Sequence, residues 1–288
     1  MSVATRPTAE EAPAAAPSPA PRERRRLSLD AKARLIQVAI LLGLLVVWQV
    51  ASWLGLIGSR FLPGPIELVG TAADVFSDGA VWGAVGKSGL AMLFAFVIGT
   101  ALGIAVGFLF GLVQVLKDAF FPVVLFFMST PKSIFIPLFL LLFGINQNAP
   151  IAFAAFATFF YVCVNVVGGV GLVQERHLRV VDAYRGKWWQ RIVDVILPAS
   201  APGVFAGVWY GIKHAVFEVL IIELYISVGG IGALLQEYSY LFQTGRVLSL
   251  VLFVVIVSLL LGSLWNRLES RLERWKPEKT TDQSLDLY

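Results

Sequence analysis

Six apolar blocks dominate this sequence, and each is long enough to cross a lipid bilayer. A span needs about 20 mostly apolar residues, because the hydrocarbon layer is roughly 30 Å thick and a helix rises about 1.5 Å per residue. The blocks lie at about 35–54, 88–115, 119–143, 150–170, 202–227 and 247–266. We therefore predict an all-α, polytopic membrane protein with six transmembrane helices.

The composition agrees with this class and excludes several others. Hydrophobic residues make up 57% of the chain and charged residues 15%, against about 45–50% and about 25% in soluble domains. A single cysteine, Cys163, and two histidines leave neither an intrachain disulfide nor a metal-ligand cluster. The net charge of +4 resides at the chain ends and does not indicate nucleic-acid binding. We see no catalytic or cofactor-binding constellation, so the sequence does not predict an enzyme.

The distribution of lysine and arginine predicts the orientation in the cell (inner) membrane. Cytoplasmic segments carry an excess of these residues. The first tail (1–34, predicted to be disordered), the loop at about 171–201 and the last tail (271–288) are all basic, whereas the connection at 144–149 has no lysine or arginine. We expect the transmembrane domain at 35–270, with both termini and the 171–201 loop in the cytoplasm.

Two of the blocks contain residues that shape helices. The second block has glycines spaced four apart, a spacing that places them on one helix face where another helix can approach closely: Gly99, Gly103, Gly107 and Gly111. The third block contains Pro122, Pro131 and Pro137. Each proline removes a backbone donor, so we predict that this helix is broken or bent.

The fifth block is unusual because it contains ionisable residues: Lys213, His214, Glu218 and Glu223. Charges at this depth are costly and usually face a bundle interior, a wet cavity or each other. His214 and Glu218 share a helix face and can pair. Two readings follow: the residues form an internal pair that ties helices together, or they line a polar path for a solute.

The loop at 171–201 shows mostly helical periodicity, with charges between its apolar residues. We predict one or two short amphipathic helices, with a break at Gly186 and an end at Pro198. Such a surface either lies on lipid headgroups or docks a cytoplasmic partner.

From about 88 to 275 the chain resembles the permease subunit of binding-protein-dependent ABC importers, in the branch with sulfonate, taurine and nitrate systems. The glycine-rich second block carries this resemblance together with "STPKSIFIPLFLLLFGI", "GKWWQRIVDVILPASAPGVFAGVWYGIK" and "ISVGGIGALLQ". The resemblance implies a translocation path for a small solute delivered by an external binding protein. Lys213 slightly favours an anion, but the sequence does not distinguish a sulfonate, nitrate, a pyrimidine or an aromatic acid. It also implies separate cytoplasmic ABC ATPase subunits and a second permease copy, with a homodimer expected.

In this family, the loop that corresponds to residues 171–201 carries a motif: Glu-Ala-Ala, any three residues, a glycine and a later Leu-Pro. We call residues 171–201 the coupling loop. This chain has Arg179, Val180 and Val181 at the first three positions and Arg185 at the glycine position, with Gly186 one later. The residues that the resemblance implies for ATPase coupling are Arg179, Asp182, Tyr184, Arg185, Gly186, Trp189, Gln190, Leu197 and Pro198.

One rival reading is a stand-alone secondary transporter in which Lys213, His214 and Glu218 couple transport to an ion. That class predicts two repeated halves with matching broken helices, and the sequence shows no such repeat. A membrane-embedded enzyme would need a catalytic constellation that we do not find.

Overall fold

The computed structural model describes residues 29–272, apart from 57, 59–60 and 227–228, and all secondary structure in this part of the chain is helical. The helices are α1 (Leu29–Trp53), α2 (Pro65–Ser77), α3 (Gly79–Leu112), α4 (Gln114–Ser129), α5 (Ile136–Phe143), α6 (Asn148–Gly171), α7 (Glu175–Ala183), α8 (Trp188–Gln190), α9 (Leu197–Tyr225), α10 (Ile231–Tyr240) and α11 (Thr244–Leu272). A 3-10 turn, Lys132–Phe135, precedes α5, and a π-helical segment, Arg191–Ile196, joins α8 to α9.

The chain divides into two compact units, residues 1–48 and residues 49–288, and the packing described below belongs to the second. The predicted tails fall mostly outside the described residues, which exclude 1–28 and 273–288. Helix α1 begins at Leu29, before the expected end of the first tail, and α11 continues to Leu272.

The described helices supply the expected number of membrane spans. Five are long and apolar enough to cross a bilayer, and α4 with the helical stretch Lys132–Phe143 makes a sixth if this bent pair counts as one span. The pair bends by 96° at Thr130 and Pro131, so the predicted break in the third block is confirmed. Pro131 has no N–H and disfavours a helical conformation at the residue before it, so α4 ends there.

Helix α6 lies at the centre of the second unit, between α3 and α9. The four predicted glycines of α3, from Gly99 to Gly111, lie against one row of α6 side chains: Thr158, Val162, Val166 and Val170. A Cβ atom at Gly103 would lie 2.6 Å from the Cβ of Val162, which is closer than two non-bonded carbon atoms can approach. Any side chain there would therefore push the helices apart.

Helix α9 packs against α6 through a second row of small residues. Gly203 contacts Gly169 backbone to backbone, and a Cβ at Gly207 would lie 3.2 Å from the carbonyl oxygen of Val162. Close backbone approach matters here because lipid tails are as apolar as leucine, so helices in a bilayer associate through tight van der Waals packing. The two glycine rows thus join α3, α6 and α9 into one tightly packed group of three helices.

The prediction that the loop helix ends at Pro198 is wrong. The chain is helical without interruption from Trp188 to Tyr225, so the fifth span also begins before its expected start at 202. A proline inside an α-helix clashes with the carbonyl four residues earlier, which here belongs to Asp194. That residue lies in the π-helical segment, where the wider turn changes the register of the backbone bonds.

Candidate functional site

The ionisable residues predicted on α9 separate into distinct groups in the structure. Glu223 lies near the end of α9 and contacts α3 and α10 through its side chain. His214 contacts Tyr161 of α6, the buried Glu218 lies next to His214, and Lys213 lies on an exposed face of α9. The structure therefore does not bring the four residues together into one site.

Glu223 caps the N-terminus of α10. Its carboxylate accepts hydrogen bonds from the Ser88 hydroxyl at 2.9 and 2.7 Å and from the Gly232 N–H at 3.0 Å. The Ser88 oxygen in turn accepts a bond from the Ile231 N–H at 2.8 Å. A carboxylate is favoured at this position because the first N–H groups of a helix lack intrahelical partners and carry a partial positive charge. Glu223 therefore holds α10 against α3, and its place in a solute path stays a prediction.

His214 and Glu218 approach each other, as their spacing predicts. The His214 Nδ1 lies 3.9 Å from a Glu218 carboxylate oxygen, a separation too long for a hydrogen bond, and Glu218 is buried. The other neighbour of His214 is Tyr161 of α6, whose ring lies parallel to the imidazole, with the ring centroids 3.3 Å apart.

Tyr161 connects His214 to a buried lysine that the sequence analysis did not select. The Lys132 ammonium donates hydrogen bonds to the Met128 carbonyl at 3.0 Å and to the Tyr161 hydroxyl at 3.2 Å. It also lies 4.6 Å from the centre of the Tyr161 ring. We call Lys132, Tyr161 and His214 the ring stack, because the tyrosine ring contacts both of the other side chains.

A cavity of about 400 Å³ lies between α9 and α11 and borders the ring stack through His214. Its walls are mainly aromatic and aliphatic, with Lys213, His214 and Ser258 as polar members. The Lys213 ammonium lies 4.1 Å from the centre of the Tyr210 ring and 5.3 Å from that of Trp209. These cation–π contacts hold the lysine at the cavity wall, and we call this space the α9 cavity.

Lys132 and Ser88 belong to the candidate site, but only Lys132 has a signal in the sequence. Lys132 is the only lysine or arginine in the third apolar block, and so it shows the same signal, a charge within an apolar helix, as the residues of the fifth block. Ser88 gave no such signal, because its partner Glu223 is 135 residues away.

The coupling loop contains the helix α7, a tight turn and α8. The N–H of Arg185 bonds to the carbonyl of Asp182 at 3.0 Å, and the N–H of Gly186 bonds to the carbonyl of Val181 at 2.8 Å. This pair of bonds is the Schellman motif, in which the first residue after the cap adopts a left-handed conformation. That residue is Arg185, with φ of 51°, and it occupies the position where the resembling family has glycine.

The turn also explains the neighbouring glycine. A Cβ at Gly186 would collide with the Val181 side chain, so this position has no room for a side chain. On the far side of the turn, the Gln190 side chain accepts a bond from the Lys187 N–H at 2.7 Å. Asp182 and Arg191 form an ion pair at 3.6 Å that joins α7 to the π-helical segment.

The outer surface of the loop presents exposed aromatic rings. Tyr184 is 85% exposed and Trp188 is 76% exposed, and Trp189 is partly exposed beside them. Arg179 and Glu175 form an exposed ion pair at 2.9 Å on α7. Exposed tyrosine and tryptophan beside arginine are typical of protein-binding surfaces.

The family model of the binding-protein-dependent transport system inner membrane component matches residues 99–275. The chain belongs to this family. The matched region begins at Gly99, the first of the four α3 glycines that pack on α6, and includes the coupling loop and α9. The chain is therefore a transport permease subunit, and the stand-alone transporter reading is not favoured.

Three relatives of this chain are named as transport permease proteins. It is 28% identical over 233 residues to the putative aliphatic sulfonates transport permease protein SsuC of Bacillus subtilis, covering 81% of this chain and 84% of the relative. The taurine transport system permease protein TauC of Escherichia coli is 26% identical, with 82% and 87% covered. The bicarbonate transport system permease protein CmpB of Synechococcus elongatus is also 26% identical, with 84% and 88% covered.

The fold matches a solved importer. A chain of the MetNI methionine ABC transporter, in an inward-facing conformation, superposes with a TM-score of 0.55 at 19% identity. The match covers 68% of this permease and 95% of the MetNI chain. At this identity the similarity establishes the fold, and the permease fold of ABC importers is thereby confirmed.

Proposed function

We propose that two copies of this permease enclose the path of a small anionic solute, and that separate cytoplasmic ATPase subunits drive transport by contacting the coupling loop. An external binding protein delivers the solute. Both termini lie in the cytoplasm, as the basic residues of the tails and of the coupling loop indicate.

The observation that carries this proposal is the continuous helix from Trp188 to Tyr225. Its first residues belong to the coupling loop, and 25 residues later it bears Lys213 at the α9 cavity. At 1.5 Å per residue the two ends lie about 37 Å apart. Because one helix connects them, a displacement of the loop by an ATPase would move the cavity wall directly.

The chemistry of the cavity supports an anion as the solute. Lys213 has no carboxylate partner among the ion pairs of the described residues. A cation in a membrane-spanning helix is expected to face a partner, a cavity or a path rather than lipid. We infer that the solute supplies the missing negative charge.

The coupling proposal is tested by co-purification in detergent from the native host, with the ATPase identified by mass spectrometry. Tyr184→Ala should weaken the complex about tenfold or more, because exposed aromatic anchors often carry much of the binding energy. Tyr240→Ala is the matched control, since this tyrosine is 74% exposed but lies on α10. Retention of the ATPase by Tyr184→Ala, or equal loss by both variants, would contradict the proposal.

A deletion tests the mechanical role more severely. Removing residues 179–190 should abolish transport-coupled ATP hydrolysis while the spans remain folded, because the loop contacts would be lost and the membrane helices are joined by their own packing. Stimulated hydrolysis that survives this deletion would mean that force enters the permease elsewhere.

A further inference from the structure

We infer that Lys132 sets the charge selectivity of the α9 cavity, and that the solute is an organic anion with an apolar body rather than a bare inorganic ion. This inference rests on the proposed function, since it assigns the solute class of the same path. The residue lies in the broken third span, outside the fifth span that bears the other ionisable residues.

The first step is the burial of the Lys132 charge. The residue is 6% exposed, and its ammonium contacts only neutral oxygen atoms among the hydrogen bonds described for it. No ion pair joins it to a carboxylate in the described part of the chain. A buried cation without a counter-ion is costly, and in a membrane span such a residue usually has a function.

The second step connects this charge to the cavity. Lys132 lies 4.6 Å from the Tyr161 ring centre, and that ring lies 3.3 Å from the imidazole of His214, which borders the cavity. The ammonium is therefore no more than about 8 Å from the His214 ring. At that range in a low-dielectric interior, its field acts on any charge that enters beside the histidine.

The third step is the charge balance. Lys132 and Lys213 are cations, and Glu218 is the one carboxylate that pairs with a member of the ring stack in the described structure. The two lysines thus outnumber this carboxylate by one when His214 is neutral. The His214 Nδ1 atom is also buried without a hydrogen-bond partner. A bound anion would balance the excess charge.

The fourth step is the shape and lining of the cavity. A volume of about 400 Å³ falls within the range of pockets that hold whole organic ligands. Trp209, Tyr210 and Phe217 form much of its wall. An inorganic anion would leave this apolar surface without a partner, whereas an anion with an aromatic or aliphatic body would cover it.

A simpler role for Lys132 is to cap α4, because Met128 lies in the last turn of that helix. Capping accounts for the bond to the carbonyl, but it does not require burial or the contact with Tyr161. The two roles predict different results when the Lys132 charge is removed. Loss of a helix cap would disturb the structure and weaken the binding of every ligand, whereas loss of the electrostatic field of the ammonium would weaken the binding of charged ligands only.

The experiment compares benzenesulfonate with neutral benzenesulfonamide, which share their ring and differ in charge. Binding to the full-length permease in nanodiscs, without ATPase, is measured by isothermal titration calorimetry, with empty nanodiscs as the blank. Lys132→Met should weaken benzenesulfonate by up to about 30-fold, equivalent to ~2 kcal/mol. That is the attraction between the ammonium and a unit negative charge placed at the His214 ring, about 8 Å away, at an effective dielectric constant of about 20. Binding of benzenesulfonamide should be unchanged.

Two further variants control for structural damage. Lys132→Arg keeps the charge and should retain most of the preference for benzenesulfonate. Lys117→Met removes a lysine of α4 that lies outside the ring stack and should behave as wild type. The inference is overturned if wild type binds neither probe or binds both equally, if Lys132→Met loses both together, or if it keeps full affinity for the anion.

The same design separates this inference from the transport proposal. If binding follows the charge of Lys132 but ATP-dependent uptake does not occur, the transport proposal fails alone. If uptake is driven by ATP while binding ignores Lys132, only the selectivity inference fails.

Discussion

The packing of α3 on α6 gives the sharpest quantitative prediction. A Cβ atom at Gly103 would lie 2.6 Å from the Val162 Cβ and 3.0 Å from the Phe159 carbonyl oxygen. Carbon atoms in contact are about 3.5–4.0 Å apart, so Gly103→Ala should force the two helices about 1 Å apart. Overpacking of this kind costs about 1–3 kcal/mol.

Replacing glycine by alanine within a helix also has a favourable effect of about 1 kcal/mol, because alanine is the better helix former. Gly89→Ala isolates this effect, since Gly89 lies on the same helix and a Cβ atom added there would have no neighbour within 4 Å. The two variants should therefore differ in stability by about 2 kcal/mol, taking the middle of the overpacking range. That difference corresponds to midpoints about 4–8 °C apart.

The assay uses the single cysteine of the chain as its reporter. Cys163 is fully buried on α6, so a thiol-reactive maleimide dye should label it only when the bundle opens. Purified variants are heated in detergent with the dye, and the labelling midpoint is recorded. Equal midpoints for Gly103→Ala and Gly89→Ala would refute the reasoning, because they would show that the glycine at position 103 does not determine the distance between α3 and α6.

Three more predictions follow from local geometry. Arg185→Gly should stabilise the end of α7 by ~1 kcal/mol, because glycine adopts positive φ without strain. Hydrogen exchange of residues 175–190 should then be slower, and unchanged exchange would count against the left-handed conformation at this turn. Ser88→Ala should destabilise the chain by about 1.5–3 kcal/mol, since it removes a hydrogen bond to a buried carboxylate. Faster hydrogen exchange confined to α10 (Ile231–Tyr240) is the expected result, and unchanged exchange in α10 would contradict the capping role of Glu223. Glu218→Gln should alter ATP-dependent solute uptake while the ATPase still co-purifies; identical uptake kinetics would favour a purely structural His214–Glu218 pair.

The sequence predicted the features that depend on local chemistry. The number of spans follows from bilayer thickness, the bend of the third span from its prolines, and the closely packed face of α3 from its glycine spacing. The coupling loop was predicted as helical with a break at Gly186, but the structure placed the strained residue at Arg185 and continued the helix through Pro198. A π-helical turn that accommodates a proline leaves no pattern in the hydrophobic periodicity.

The candidate site was only half visible from the sequence. Lys213, His214 and Glu218 were selected because charges are rare in apolar helices, and Lys132 satisfied the same criterion. What no local pattern could provide is which of these residues meet. The glycine row of α3 marks one closely packed face, but the hydrophobic periodicity of this largely apolar helix does not indicate which helix it meets. The rotation of each helix is fixed by packing against the others. That packing alone brings Ser88 to Glu223 and places Tyr161 between Lys132 and His214, because such contacts depend on the positions of helices far apart in the chain.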